Sequence, residues 1–259
     1  MNELVPIVFY NLCSFFFFED GTKKQFELKQ RDSISSDPFV DFLIEDVFQT
    51  DEYKCQTSSP YSSPDLCFFR LIDNKIDNLF GLEVKTSKSI SGDLNFNSTP
   101  PCGSIIIDLN GKEETIPAYY LFVQLLEIEK NKFEILSMMI VDGDFINSDF
   151  NLYLEAVNER IKETDLGSYG DGLNKNRPMY MFPNPLGLQG IHFERTTLLS
   201  KNYYKSEDFN NCLGLVATIN KNGNNFFAYQ AVRKLSTSSN KISSKKTKPR
   251  NKFKLTYED

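Results

Sequence analysis

Residues 64–88 constrain the fold most, because they predict two β-strands joined by a tight polar turn. Side chains alternate between the two faces of a strand, so Glu83 and Lys85 project from one face, while Leu82 and Val84 project from the other. One face of the second strand is therefore polar, and the other face belongs to a core.

A turn centred near residues 76–77 places Asp65 opposite roughly residues 86–88, since paired positions in an antiparallel hairpin add up to a constant. This pairing brings Asp65, Glu83 and Lys85 to one end of the hairpin. Two carboxylates and an ammonium group suit a hard divalent cation, with the lysine left to handle a proton or a phosphate charge. The alternative is a surface hairpin with an incidental Glu83–Lys85 ion pair, which contributes little when it is exposed.

The pattern of an acid followed two residues later by lysine is common in this chain. Further copies occur at residues 27–29, 52–54 and 73–75. Only the copy at residues 83–85 follows the chain's one Pro-Asp dipeptide, at residues 64–65, and lies within an apolar, strand-like run. That combination singles out the copy at 83–85.

At these residues the chain resembles the PD-(D/E)xK nuclease superfamily, in particular the type II restriction endonucleases. The resemblance lies in Pro-Asp at 64–65 and Glu-Val-Lys at 83–85, and the segment 93–103 is also similar to one that follows this strand in some restriction enzymes. It implies a restriction-endonuclease-like α/β core with a central mixed β-sheet flanked by helices. It also implies that Asp65 and Glu83 hold Mg²⁺ and that Lys85 positions or activates the attacking water. The family often adds an acid from a preceding helix, and Glu45 is the candidate for this further metal ligand.

The function implied by the resemblance is site-specific, Mg²⁺-dependent hydrolysis of double-stranded DNA that leaves 5′-phosphates. A restriction enzyme is expected to be a two-fold homodimer, because a palindromic site mirrors protein symmetry. A cognate methyltransferase in the same restriction-modification system is also expected. Two alternatives stay open: a nuclease of the same superfamily that serves DNA repair, recombination or phage DNA processing, and a non-catalytic DNA-binding protein.

Length and composition predict one substantial core. The chain has 259 residues, of which 40% are hydrophobic and 14% aromatic. We expect a single nuclease domain over residues 1–235 and a basic tail over 236–259. The apolar run at 15–18 is too short for a membrane span or a signal peptide, so we expect a cytoplasmic protein with no membrane partner.

The formal net charge of −6 argues against a protein that coats nucleic acid, because such binding depends on neutralising many phosphates. The charge is uneven, however, since residues 233–254 carry lysines and arginines without a single acid. Within that segment Lys245 and Lys246 are candidate DNA contacts. A solvated tail without a function is the alternative.

The rest of the chain predicts alternating strands and helices. Residues 4–28 are strand-like, and Asp37-Pro38 is typical of a helix start, with Asp37 as the cap. Further strands are predicted at 104–109, 118–128 and 133–140, an amphipathic helix at 149–164, and a late hairpin at 212–219 and 226–232.

Residues 167–195 are rich in glycine, proline and asparagine, which predicts a long binding loop or a plain surface loop. Several side chains in and outside this loop are candidates for contacts to base edges or phosphates: Lys88, Lys175, Arg177, Gln189, His192 and Arg195. His192 is the only histidine, which excludes nucleases that need several histidines. The chain also lacks the glycine-lysine phosphate loop of nucleotide-driven motors.

Overall fold

The structure, a computed structural model, describes residues 3–17, 22–29, 37–57, 63–73, 75–88, 95–96, 102–148, 180–181, 196–209, 212–221 and 223–231. The predicted helix at 149–164 and the basic tail at 236–259 lie outside these residues. Of the predicted loop at 167–195, only Tyr180–Met181 is described, as a short strand. Within the described residues, no helix is long and apolar enough to span a membrane.

The chain begins with a helix where the sequence predicted a strand. Leu4–Phe16 form the α-helix α1, so the strand prediction for 4–28 was wrong over most of its length. Many apolar residues of this segment are aromatic or β-branched, which favours strands, but the buried positions follow helical spacing. Leu4, Val8, Leu12 and Phe16 are fully buried, four residues apart, along one face of α1.

The predicted helix start at Asp37 is confirmed. Helix α2 covers Pro38–Phe42, and the Asp37 carboxylate accepts hydrogen bonds from the amides of Phe39 at 2.9 Å and Val40 at 3.4 Å. A π-helical turn, Leu43–Val47, continues from α2. The cap satisfies two of the amides that a helix start leaves without a partner.

Twelve strands follow one another along the described chain. They are β1 (Phe26–Glu27), β2 (Lys54–Thr57), β3 (Leu66–Ile72), β4 (Lys75–Ser87), β5 (Asn95–Phe96), β6 (Ser104–Leu109), β7 (Lys112–Glu129), β8 (Lys132–Asp142), β9 (Tyr180–Met181), β10 (Thr196–Ser200), β11 (Leu213–Lys221) and β12 (Asn224–Ala231). The sequence-predicted strands at 104–109, 118–128, 133–140, 212–219 and 226–232 correspond to β6, β7, β8, β11 and β12.

A ten-stranded mixed sheet organises the fold. Its main order is β11-β12-β10-β8-β7-β4-β3-β2, with β1 added to β8 and β6 added to β7. The pairs β4–β7 and β8–β10 are parallel, and the other pairs of this sheet are antiparallel. Strands β5 and β9 form a separate pair. The prediction of an α/β protein with a central mixed sheet is therefore confirmed.

Each face of the sheet has its own core. On one face, α1, α2 and the π-helical turn pack against strand residues that include Leu82, Val84 and Leu121. On the opposite face, a helical segment at 143–148 supplies Phe145, which packs in a cluster with Tyr120. Because side chains alternate along β4, the polar residues of this strand belong to the second face.

Candidate active site

The β3–β4 hairpin places Asp65 beside Glu83. Leu66 pairs with Leu82, and Asp65 directly precedes Leu66, so Asp65 lies next to Glu83 across the two strands. The predicted position of Asp65 opposite residues 86–88 was wrong, because Ile72 pairs with Lys75 and the hairpin therefore turns earlier than the predicted 76–77. An irregularity between Phe68 and Arg70 then moves the pairing by one residue in the other direction and leaves Asp65 opposite Glu83. The corrected register brings the two carboxylates closer than the sequence suggested.

Short hydrogen bonds join the predicted site residues. Lys85 Nζ donates to Glu83 Oε1 at 2.7 Å, and Ser63 Oγ donates to Glu83 Oε2 at 2.9 Å. The Val84 amide donates to Asp65 Oδ2 at 2.7 Å. The structure therefore brings Asp65, Glu83 and Lys85 together, as the hairpin argument predicted.

The Glu83–Lys85 ion pair differs from an exposed surface pair. The side chain of Lys85 is 23% exposed and that of Glu83 is 13% exposed. On the opposite face of the same strand, Leu82 and Val84 are buried in the core. A rigid, buried strand thus presents the pair at the sheet surface, which is the preferred way to hold a precise polar arrangement.

The environment of Asp65 changes its acidity. Burial is the larger cause and the negative charge of Glu83 the second, and together they raise the pKa of the Asp65 carboxyl to about 6. The Val84 amide and the Lys85 ammonium oppose this rise, while the charge of Asp37 adds to it. A carboxyl group with a perturbed pKa beside a second carboxylate is a recognised mark of a functional site.

Two residues that sequence reasoning missed lie beside Glu83 on the same face. Tyr120 pairs with Glu83 in the β4–β7 register, and its side chain is hydrogen-bonded to the thiol of Cys102. Burial raises the pKa of Cys102 to about 11, with Tyr120 lowering it and the charge of Glu83 raising it. No short motif marks either residue; the pairing of β4 with β7 brings Tyr120 here, and tertiary contacts of residues 102–103 bring Cys102.

The chain at residues 102–103 is fixed firmly against this part of the sheet. The Cys102 amide donates to Asn147 Oδ1 at 2.6 Å, and the Ala118 amide donates to the Gly103 carbonyl at 3.2 Å. A side chain at Gly143 would overlap the Cys102 carbonyl, so a glycine permits this close crossing. The end of the 93–103 segment therefore has a defined place beside Glu83.

The further carboxylate proposed from the sequence, Glu45, has a lysine partner of its own. It lies in the π-helical turn and forms an exposed ion pair with Lys29. The carboxylate from this part of the chain that acts on Asp65 is instead Asp37, whose charge raises the pKa of Asp65. Sequence analysis identified Asp37 only as a helix cap.

Of the predicted DNA contacts, only Lys88 lies within the described residues. Lys88 Nζ is 3.7 Å from Glu127 Oε2 and 4.6 Å from the centre of the Phe133 ring. The other predicted contacts fall outside the described chain: Lys175, Arg177, Gln189, His192, Arg195, Lys245 and Lys246. Their role in DNA binding stays a prediction.

The donor set is compatible with Mg²⁺. Within the described chain, no cluster of three or more histidine, cysteine or acidic side chains could hold a metal ion. Mg²⁺ does not need such a cluster, because it keeps several waters and is commonly held by one or two carboxylates together with substrate phosphates. Asp65 and Glu83 provide two adjacent carboxylates of this kind.

Comparisons with known proteins add no constraint on the site. No protein-family model, curated protein or solved structure matches the chain. The function must therefore be inferred from the residues of the site and their geometry.

Proposed function

We propose that this chain is a Mg²⁺-dependent deoxyribonuclease of the PD-(D/E)xK type with a restriction-endonuclease-like fold, and that it acts as a type II restriction endonuclease. The observation that carries the proposal is the placement of Asp65 beside Glu83, with Lys85 hydrogen-bonded to Glu83 on the polar face of β4. A homodimer, a cognate methyltransferase and cytoplasmic action on double-stranded DNA belong to the same proposal.

The proposed roles follow from the chemistry of each side chain. Asp65 and Glu83 would hold Mg²⁺, which when bound lowers the pKa of a coordinated water and polarises a phosphodiester oxygen. Lys85 would orient the attacking water or offset negative charge that develops on the scissile phosphate. Its hydrogen bond to Glu83 keeps the ammonium group beside one of the two proposed metal-binding carboxylates.

One observation favours a second candidate, a non-catalytic DNA-binding protein. The polar groups satisfy one another, because both oxygens of Glu83 and one oxygen of Asp65 accept hydrogen bonds from Lys85, Ser63 and Val84. A structural ion pair at a sheet surface has the same appearance. This candidate predicts DNA binding without metal-dependent cleavage.

Incubation of the protein with unmodified phage DNA in Mg²⁺ or in EDTA separates these functions. A type II enzyme produces discrete fragments with 5′-phosphates in Mg²⁺ and leaves the DNA intact in EDTA. A smear indicates a nuclease without a defined site, as in repair or phage DNA processing. Binding of the DNA by the protein, with no cleavage in either buffer, supports the non-catalytic candidate.

Three alanine variants test the residues directly. We expect Asp65→Ala, Glu83→Ala and Lys85→Ala each to reduce cleavage by at least about 100-fold with little loss of DNA affinity, because each removes a group needed for the transition state. Glu45→Ala is the control, since its exposed ion pair with Lys29 predicts a much smaller effect. If both aspartate and glutamate variants keep a tenth of the wild-type rate, the metal site lies elsewhere.

A further inference from the structure

The segment that delivers Asp65 also holds Glu83. Ser63, two residues before Asp65, donates a hydrogen bond from its hydroxyl to Glu83 Oε2 at 2.9 Å. The other oxygen of Glu83 accepts from Lys85 at 2.7 Å. The Glu83 carboxylate is therefore oriented from two sides, by a residue of its own strand and by a residue of the neighbouring segment.

Contact between Pro64 and Gly81 sets the position of this segment. Pro64 is buried, and a Cβ atom placed on Gly81 would lie 2.8 Å from Pro64 Cγ and 3.1 Å from Pro64 Cβ. Gly81 lies within β4, paired with Cys67 on β3 and Ala118 on β7, so its backbone cannot easily move away. Glycine weakens a strand interior unless a close approach requires it. The close approach of Pro64 is that requirement.

Binding of a cation would make these contacts matter. A cation that takes Glu83 Oε1 competes with the Lys85 ammonium for that oxygen. The Ser63 hydroxyl contacts the other oxygen, so it can keep the carboxylate in place during this exchange. Removal of a hydrogen bond that orients a metal-binding carboxylate commonly lowers metal affinity or activity by about 10- to 100-fold.

We propose that Ser63 and Gly81 are positioning residues for the metal-binding carboxylates, Ser63 by holding Glu83 and Gly81 by letting Pro64 bring Ser63 and Asp65 against β4. This inference rests on the proposed function. Ser63 is exposed, so competition from water reduces its contribution to the bottom of that range or below it. Gly81 acts on both carboxylates, so its replacement has the larger effect.

The test measures metal binding separately from cleavage. Mn²⁺ serves as the probe, with its dissociation constant measured by electron paramagnetic resonance on the protein without DNA, and the Mg²⁺ midpoint of cleavage is measured in parallel. For Ser63→Ala we expect both values to rise about 3- to 10-fold, with less than about a two-fold change in the cleavage rate at saturating Mg²⁺. Ser63→Thr keeps the hydroxyl and should restore both values.

Two further variants complete the design. Gly81→Ala should raise the Mn²⁺ dissociation constant more than Ser63→Ala, measured where urea unfolding shows that the variant is folded. Ser206→Ala is the matched control, because it removes a serine hydrogen bond to the Leu213 carbonyl in another part of the fold. We expect Ser206→Ala to leave metal affinity unchanged.

The outcomes separate the positioning role from the proposed function. Suppose that Asp65→Ala and Glu83→Ala weaken Mn²⁺ binding but Ser63→Ala does not. This result overturns the positioning role of Ser63 and leaves the nuclease proposal standing. Weaker binding in Ser63→Ala in a protein that cleaves no DNA supports the positioning role and overturns the nuclease. Absence of Mn²⁺ binding in the wild type, together with absence of Mg²⁺-dependent cleavage, overturns both.

Discussion

The raised pKa of Asp65 predicts that the folded protein loses stability as the pH rises, and that Asp65→Asn removes this loss. Burial and the neighbouring charge of Glu83 raise the pKa of this carboxyl to about 6 in the folded protein. In the unfolded chain an aspartate has a pKa of about 3.9. Between these two pKa values, the Asp65 carboxyl keeps its proton in the native state and has lost it in the unfolded state.

The sign of the effect follows from this difference. Without metal, the contribution of Asp65 to the free energy of unfolding is fully present below about pH 4 and is lost as the pH rises to about 6. A difference of about two pKa units corresponds to roughly 3 kcal/mol, and contact of the site with solvent reduces it, so we expect about 1–3 kcal/mol.

Asp65→Asn is the informative variant, because it keeps the shape and the acceptor for the Val84 amide but cannot ionise. Urea unfolding in EDTA, followed by far-UV circular dichroism at several values between about pH 4 and 7, gives the free energy of unfolding of both proteins. We expect the wild type to lose about 1–3 kcal/mol relative to Asp65→Asn across this range.

Glu83→Gln divides the effect into its causes. Burial is the larger cause of the raised pKa of Asp65, and the charge of Glu83 is the second. Removal of that charge should therefore reduce the change of the free energy of unfolding with pH without abolishing it. Asp142, whose pKa is also raised by burial, is unchanged in all three proteins and cancels in the comparison. A difference between wild type and Asp65→Asn that is constant with pH would refute the reasoning and place Asp65 in a more solvated environment.

Three further predictions concern the core, the helix cap and the tail. Phe80→Ala should reduce the free energy of unfolding by about 3–5 kcal/mol, because the fully buried Phe80 ring stacks on Phe68 with 5.1 Å between the ring centres. Leu71→Ala is the control, because this side chain of the same hairpin is 52% exposed. It should cost less than about 1 kcal/mol in the same urea experiment. Asp37→Ala should cost about 1 kcal/mol by loss of two cap hydrogen bonds, and Asp37→Asn should recover most of it in thermal unfolding. Deletion of residues 236–259, which lie outside the described chain, should weaken binding to all DNA sequences alike. The slope of log K against log salt should become flatter by about 0.9 for each phosphate that the tail neutralises. An unchanged slope with an altered site preference would show that the tail reads sequence.

The site hairpin illustrates what the sequence could predict. Alternation of polar and apolar residues identified the polar face of β4, because a side-chain period of two is a strong signal. The register could not be predicted, because it depends on the turn position and on the irregularity between Phe68 and Arg70. Ser63 and Gly81 also carry no pattern, since their roles depend on how closely Pro64 approaches β4.

The error at α1 has a different origin. Its aromatic and β-branched residues favour a strand by propensity, whereas the positions buried in the structure follow a helical period. Propensity is a weak guide when a segment is buried on one side, because tertiary packing decides the outcome. The central strands β7 and β8 were predicted correctly because their long apolar runs flank a polar turn at 129–132.

The packing of β4 explains how two carboxylates can be kept side by side at all. Burial is the larger cause of the raised pKa of Asp65, and repulsion from Glu83, which opposes the approach of the two carboxylates, is the second. Leu82 and Val84, buried on the other face, fix the strand through apolar contacts, which depend little on pH or salt. The two carboxylates are thus held closer together than their own charges favour. The Mg²⁺ of the proposed function would remove that repulsion, because it supplies positive charge between the two carboxylates.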